Sequence, residues 1–223
     1  MNYDLVIFDW DGTVMDSTGR IVSCMHLAAD DLALPSLPDQ TVRDIIGLGL
    51  PEAIATLYPV LGAADIDRMR DRYAFHFIEA ESTPSALYPG AETVLCQLLE
   101  LDMKLAVATG KSRKGLQRVW SNTGLDRYFH ASRCADESRS KPEPHMVLEL
   151  LDEMAIPASR AIVVGDTTFD LEMARNAGVD RVAVSYGAHP VDRLLPCEPL
   201  AVIDKLNDLL PLLGVDELIM ESQ

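Results

Sequence analysis

The chain has 223 residues, of which 19 are lysine or arginine and 35 are aspartate or glutamate, so its formal net charge is −16. So acidic a chain, with no strongly basic patch in its sequence, is unsuited to bind DNA, RNA or anionic lipid, which requires clustered cations. Its 48% hydrophobic and 24% charged residues are typical of a globular protein and exclude a disordered one.

The use of cysteine and the start of the chain predict a cytoplasmic protein. The cysteines are far apart and have no histidines at zinc-ligand spacing, which favours free, mostly buried thiols. The first residues lack a basic segment, and the apolar run at 5–8 is too short for a secretion signal. No apolar stretch approaches the roughly 20 residues of a membrane-spanning helix. The four cysteines are Cys24, Cys96, Cys134 and Cys197.

The predicted elements alternate between buried strands and amphipathic helices. Short apolar runs rich in β-branched residues are typical of strands that are covered on both faces, as in a parallel sheet. Between them, apolar residues recur at helical spacing, for example over 91–100. This alternation predicts a doubly wound α/β domain. The predicted strands are 5–8, 105–108, 161–164, 182–184 and 200–203.

One segment breaks the alternation. Between about Asp16 and Ser85 the periodicity is helical throughout, with loops predicted at 35–38 and 47–51. A helical module inserted directly after the first strand and its turn predicts a second, smaller domain. We therefore predict an α/β core formed by residues 1–15 and 88–223 and an α-helical cap formed by residues 16–87. The end of the chain, 214–223, fits either a last amphipathic turn or a frayed end.

Polar residues that can carry chemistry stand where the predicted strands end. Two aspartates follow the first strand, a threonine follows the second, and two further aspartates follow a later strand. Because ligands of parallel sheets bind at the carboxyl ends of the strands, we expect these side chains and one lysine to share a crevice. The candidate residues are Asp9, Asp11, Thr109, Lys141, Asp166 and Asp170.

Carboxylates that are crowded together repel one another and persist when a cation neutralises them. An all-oxygen set of aspartates matches Mg²⁺, which keeps waters or substrate phosphate oxygens as its other ligands. With the metal in place, one aspartate could attack phosphorus while another donates a proton to the leaving oxygen. Lys141, Thr109 and amides at the following helix start would stabilise the charge on the phosphoryl oxygens.

The candidate residues also match the motifs of a known family, in order. The segment 8–13, Phe-Asp-Trp-Asp-Gly-Thr, resembles the first signature of the haloacid dehalogenase (HAD) superfamily. Thr109 resembles its second motif, Lys141 its third, and Gly165-Asp166 with Asp170 its fourth. With the inserted cap, the four motifs account for nearly the whole chain. The resemblance implies a Rossmannoid core with a parallel sheet and a small helical cap.

The resemblance implies a role for each matching residue. Asp9 would be the nucleophile that forms an aspartyl-phosphate, and Asp11 the general acid for the leaving group and then the base for water. Thr109 and Lys141 would hold the phosphoryl oxygens. The Mg²⁺ ligands would be Asp9, the main-chain carbonyl of Asp11, and Asp166, with Asp170 as a direct or supporting ligand.

The presence of an acid at Asp11 reduces the number of reaction types that the resemblance implies. Dehalogenases and phosphonate-cleaving members lack an acid at this position, whereas hydrolysis of a phosphate ester needs one to protonate the alkoxide. Sugar-phosphate mutases share both acids, but they typically carry a histidine shortly after the motif, where this chain has Ile21. We therefore predict a phosphoric monoester hydrolase, with a mutase as an alternative.

The cap is expected to select the substrate. Residues 42–49, Val-Arg-Asp-Ile-Ile-Gly-Leu-Gly, resemble the cap segment that faces the active site in phosphoglycolate phosphatases. We predict Arg43, Gly110 and Lys111 as substrate contacts. Arg43 also fits an exposed helix charge, and the cap glycines also fit a helix end.

The predicted substrate is a small soluble phosphorylated metabolite such as 2-phosphoglycolate. A sugar phosphate, a nucleotide or pyrophosphate are alternatives within the phosphatases. A phosphate-binding regulatory module without turnover is the alternative outside enzymes. The absence of a heptad run leaves both a monomer and a homodimer open.

Overall fold

The computed structural model describes residues 3–79 and 85–214, so the tail residues 215–223 lie outside the described part of the chain. Its strands are β1 (Leu5–Phe8), β2 (Met15–Asp16), β3 (Ala86–Leu87), β4 (Lys104–Thr109), β5 (Ala131–Cys134), β6 (Ala161–Gly165), β7 (Asp180–Val184) and β8 (Ala201–Ile203). Its helices are α1 (Thr18–Asp31), α2 (Asp39–Arg43), α3 (Leu50–Leu57), α4 (Ala63–Glu79), α5 (Ala91–Glu100), α6 (Arg113–Thr123), α7 (His145–Met154), α8 (Thr168–Asn176), α9 (Val191–Leu194) and α10 (Leu209–Leu212).

Six strands form a parallel sheet in the order β5-β4-β1-β6-β7-β8, which confirms the predicted α/β class. The side chains of β1 alternate between the two faces of this sheet. Leu5 and Ile7 pack with residues of α7 and α8, whereas Val6 and Phe8 pack with residues of α5 and α6. Because both faces are covered, β1 is fully buried, as its continuous apolar run predicts.

The sequence pattern does not predict β5 or the short pair β2–β3. In β5, the buried Ser132 and Cys134 alternate with the half-buried Ala131 and Arg133, so this edge strand has no apolar run. Strands β2 and β3 have two residues each and pair antiparallel. They lie where the chain leaves the sheet region for α1 and returns to it after α4.

Helices α1 to α4 enclose an apolar core of their own. Met25 of α1, Ile54 of α3 and Met69 of α4 are buried together in it. Helix α3 begins at Leu50, so the end of the loop predicted at 47–51 is helical, with a proline in the first turn. The domain boundaries at 15/16 and 87/88 stay a prediction.

The structure also shows the state of the cysteines and tests the helices for a membrane span. All four cysteines are free, and only Cys96 is exposed, as the sequence predicts. Within residues 3–79 and 85–214, no helix is both long and apolar enough to span a membrane.

Candidate active site

Asp9 is the first residue after β1 and is almost completely buried. Its amide extends the sheet by donating to the carbonyl of Val164, 2.9 Å away, so the backbone position of the carboxylate is fixed. Its Oδ1 atom accepts a hydrogen bond of 2.6 Å from Lys141 Nζ. Its Oδ2 atom is buried and has no hydrogen-bond partner among the described residues. Asp9 therefore has one oriented oxygen and one buried oxygen available for a ligand.

Lys141 lies between two carboxylates. Its side chain is fully buried, and Nζ donates to Asp9 Oδ1 and to Asp170 Oδ1, each at 2.6 Å. Burial lowers the pKa of Lys141, but the charges of Asp170 and Asp9 and the hydrogen bonds to them outweigh it, so the pKa is raised. The ammonium is therefore charged at neutral pH and held in place.

Asp166 and Asp170 follow β6 at the same edge of the sheet. Asp166 accepts hydrogen bonds from Thr13 Oγ1 at 3.0 Å and from the amide of Ala188 at 2.7 Å. Asp170 closes the first turn of α8, where its Oδ2 atom accepts from the amide and the hydroxyl of Thr167. These bonds fix both carboxylates before any ligand is present.

Two glycines make room for Asp166. A Cβ atom at Gly12 would lie 2.2 Å from Asp166 Oδ2, and a Cβ atom at Gly187 would lie 2.1 Å from Asp166 Cβ. Gly12 also has a φ of 93°, which side chains rarely adopt. Both positions therefore require glycine to hold the carboxylate here.

The three buried aspartates fit a divalent metal ion. Asp9, Asp166 and Asp170 each offer a carboxylate oxygen, and these atoms lie within 4.8 Å of one another. Burial raises the pKa of Asp9 to about 7, with Asp170 and Asp11 adding to the rise and Lys141 opposing it. Burial and the charges of Asp9 and Asp170 raise the pKa of Asp166 as well. A cation would remove this repulsion, and an all-oxygen ligand set suits Mg²⁺.

Asp11 lies apart from this cluster. Lys111 Nζ donates to its two carboxylate oxygens at 2.8 and 2.9 Å, and Ser17 Oγ donates to Oδ1 at 2.6 Å. Its carboxylate is only 12% exposed. Asp11 is therefore oriented by its own partners, and its side chain does not belong to the aspartate cluster.

Thr109 and Gly110 form the turn after β4. The buried Thr109 Oγ1 accepts a hydrogen bond of 3.1 Å from the amide of Lys111, so the hydroxyl fixes the turn that leads into α6. Gly110 and Lys111 line the cavity beside Asp9 and Asp11.

A loop of the cap, residues 44–49, contacts the core directly. The amide of Gly49 donates to Ser140 Oγ at 2.9 Å, and Arg193 Nη1 donates to Asp44 Oδ1 at 2.8 Å. His189 Nδ1 accepts from the amide of Thr168, which leaves Nε2 to donate to the carbonyl of Asp44 at 3.3 Å. The cap is therefore closed on the core at this loop.

Gly110→Ala is expected to prevent this closure. A Cβ atom at Gly110 would lie 2.4 Å from the carbonyl oxygen of Leu48 and 2.8 Å from that of Gly47, so the methyl group would displace the cap loop. Because small displacements of positioning groups are costly, we expect kcat/KM for phosphate esters to fall by about tenfold to hundredfold. Gly19→Ala is the control, since a Cβ atom there meets nothing within 4 Å. Equal kinetics of the two variants would contradict a role of this contact.

Between core and cap lies a cavity of about 560 Å³, with Asp9, Asp11, Gly110 and Lys111 on its core side. The structure thus brings together nearly all of the residues that the sequence predicts. Lys141, Asp166 and Asp170 belong to the site through Asp9, and Thr109 through the turn that it forms with Gly110. Arg43 is the exception, because within the described part of the chain it neither lines the cavity nor contacts these residues, and its Nη1 atom donates to Thr18 Oγ1 at 3.3 Å. Its contact with a substrate stays a prediction without support from this geometry. Thr13 belongs to the signature at 8–13, but its bond to Asp166 could not be foreseen. Sequence reasoning missed the other residues that orient the carboxylates and hold the cap loop: Ser17, Thr167, Ala188, Ser140, His189 and Arg193.

A parallel α/β core whose strand ends hold an aspartate cluster beneath a helical cap defines a class of hydrolases, and comparison with known proteins identifies the family. Residues 6–184 match the family described as haloacid dehalogenase-like hydrolase. A "Phosphoglycolate phosphatase" of Agrobacterium fabrum is 33% identical over 216 residues, 94% of this chain and 91% of that protein. A "Probable phosphatase IndB" of Dickeya dadantii is 33% identical over 209 residues, 92% of this chain and 91% of that protein.

A solved structure, "The crystal structure of a hydrolase from Pseudomonas syringae", has the same fold with a TM-score of 0.87 and 23% identity. The match covers 95% of this chain and 98% of that chain. The protein therefore belongs to the haloacid dehalogenase-like hydrolases and is a phosphatase of that family.

Proposed function

We propose that this phosphatase hydrolyses a small phosphorylated metabolite with Mg²⁺ as cofactor and with an aspartyl-phosphate on Asp9 as intermediate. The proposal rests on the hydrogen bonding of the two carboxylate oxygens of Asp9. One of its oxygens is held by Lys141, and the other is buried and has no hydrogen-bond partner among the described residues, while the side chain clusters with two further carboxylates. A structural carboxylate would normally have both oxygens satisfied, whereas a nucleophile must keep one available.

The reaction has two displacements at phosphorus. In the first, Asp9 Oδ2 attacks, the bond from phosphorus to the ester oxygen breaks, and Asp11 gives its proton to the leaving alkoxide. In the second, Asp11 takes a proton from water, whose oxygen attacks the aspartyl-phosphate and releases phosphate and free Asp9. Lys141 orients the nucleophile and, with the amides after Thr109, stabilises charge on the phosphoryl oxygens.

The metal would be held by Asp9 and Asp166, with Asp170 supporting it through its contacts to Lys141 and Thr167. It would neutralise the phosphoryl oxygens and the crowded carboxylates. Phosphoglycolate is a candidate substrate because it is named for a relative that matches nearly the whole chain. A cytoplasmic location is supported by the four free thiols, which suit a reducing compartment.

Phosphate release from a panel of small esters tests this function. The panel contains phosphoglycolate, a sugar phosphate, a nucleoside monophosphate and pyrophosphate, each assayed with Mg²⁺ and with a chelator. We expect release from at least one member in Mg²⁺ only, and its loss in Asp166→Asn. A binder without turnover would release no phosphate from any member, which would exclude the proposal.

Asp11→Asn separates the acid role from the nucleophile role. With esters of ordinary alcohols, we expect turnover to fall by about 10²- to 10⁴-fold, because the alkoxide leaves without a proton. With 4-nitrophenyl phosphate, whose leaving group needs no acid, we expect a burst of one nitrophenolate per active site and then slow turnover. Rapid-mixing absorbance measures the burst. Its absence, with both substrates equally slowed, would contradict the assignment of Asp11.

A further inference from the structure

The cavity is large although the cap is closed. Its volume of about 560 Å³ coexists with the contacts of Gly49 to Ser140 and of Asp44 to Arg193. Sites of roughly 300–1,000 Å³ enclose ligands the size of drug molecules. A phosphoryl group at Asp9 fills only one end of this space. Most of the cavity therefore remains for the alcohol part of the substrate.

The cap side of this cavity is mainly apolar. Tyr73 and Phe77 of α4, which we name the aromatic pair, have ring centroids 5.7 Å apart. The Phe77 centroid also lies 4.9 Å from Lys111 Nζ, the atom that binds Asp11. The aromatic pair is therefore close to the residue that protonates the leaving group. Other apolar residues of the lining include Ile21, Met25, Ile45, Ile46 and Leu48.

The cation that the cap contributes to the described lining is already paired. Arg70 donates to Asp67 Oδ1 at 2.7 Å and to Asp71 Oδ1 at 3.0 Å. The other lining cations are Lys111, Lys114 and Arg118, which belong to the core segment 111–118, and Lys111 is bound to Asp11. A substrate group that extends from Asp9 toward the cap therefore meets mainly apolar surface, where a carboxylate would lack a partner and a ring would not need one.

We propose that the substrate is a phosphomonoester whose alcohol carries a bulky aromatic or apolar group, received by the aromatic pair in the closed state. This inference rests on the proposed phosphatase function and adds the substrate class to it. Phe77 is then a specificity-determining residue. Burial of one ring of the substrate against the aromatic pair is expected to raise kcat/KM by about tenfold to hundredfold over that for an ester without a ring.

Three esters of primary alcohols test the proposal with matched leaving-group chemistry. Benzyl phosphate carries a ring, glucose 6-phosphate is bulky but polar, and phosphoglycolate is small and acidic. We expect kcat/KM with Mg²⁺ to be at least about tenfold higher for benzyl phosphate than for either of the others. Equal values, or a preference for glucose 6-phosphate or phosphoglycolate, would overturn the substrate class and leave the phosphatase function intact. Hydrolysis of none of the three, nor of the wider panel, would overturn both.

Phe77→Ala tests whether the aromatic pair is responsible. The measured quantity is the ratio of kcat/KM for benzyl phosphate to that for phosphoglycolate, which is independent of the folded fraction and of any general effect on Lys111. We expect this ratio to fall by about tenfold. Phe75→Ala is the matched control, since Phe75 lies on the same helix, is 45% exposed and does not belong to the described lining. An unchanged ratio in Phe77→Ala, or an equal fall in Phe75→Ala, would overturn the assignment.

Discussion

Asp9→Asn is expected to lower phosphatase turnover by about 10⁴-fold or more while leaving the fold intact. The amide has almost the size of the carboxylate but cannot form the aspartyl-phosphate. The fold should persist, because Lys141 keeps Asp170 as a partner at 2.6 Å and the backbone bond from residue 9 to Val164 remains. Removing one of three crowded acids also relieves repulsion within the cluster. Steady-state phosphate release measures the loss of turnover, and a thermal unfolding curve shows whether the fold is retained.

The matched control is Asp126→Asn, which makes the same chemical change at an exposed position. It should retain full turnover. A stronger comparison uses the burst of nitrophenolate, which Asp11→Asn should give and Asp9→Asn should not. If Asp9→Asn kept near-normal rates on every good substrate, Asp9 would not be the nucleophile.

The arrangement of the core could be predicted because it depends on local patterns. The runs at 5–8 and 161–164 are apolar on both faces, which is typical of strands in a parallel sheet, and the structure pairs β1 with β6 in parallel. Once the strands are parallel, Asp9 and Asp166 must share an edge, since each comes directly after its strand. The proximity of Asp9 and Asp166 is thus a consequence of topology.

The contacts between cap and core could not be predicted in this way. Gly49 and Ser140 are 91 residues apart, and Asp44 and Arg193 are 149 apart. Asp44 and Gly49 lie in the cap motif at 42–49, but nothing in the sequence identifies Arg193 and Ser140 as their partners, because each contact depends on the packing of two separate units. The same holds for Arg43, whose partner at Thr18 is set by how α2 packs on α1.

The role of Lys111 shows a further limit of sequence reasoning. Its position after β4 predicts a substrate contact, and it does line the cavity. Its ammonium, however, is held by both carboxylate oxygens of Asp11. Only the three-dimensional arrangement reveals that this lysine orients the acid and lies beside Phe77.

Lys141→Met is expected to destabilise the metal-free protein by about 3–5 kcal/mol, because it leaves buried carboxylates without their cation. Methionine fills a similar volume, so the loss reports on charge rather than on a cavity. Urea unfolding in the presence of a chelator measures it. Lys205→Met is the control, since Lys205 is 66% exposed and its pairing with Asp208 contributes little. Equal stability of Lys141→Met and the wild type would contradict a charged buried network.

The destabilisation caused by Lys141→Met is expected to change with pH in a definite direction. In the wild type, the pKa of Asp9 is already raised to about 7 against the opposing effect of Lys141, so removing that ammonium raises it further. A folded-state pKa above the unfolded value stabilises the protein at low pH, and this contribution is lost as pH rises through the folded pKa. The destabilisation by Lys141→Met should therefore be larger at about pH 8 than at about pH 5.

Adding Asp170→Asn to Lys141→Met should recover part of the lost stability, because one unpaired carboxylate is removed together with its cation. A double variant no more stable than Lys141→Met alone would show that Asp170 and Lys141 are not coupled.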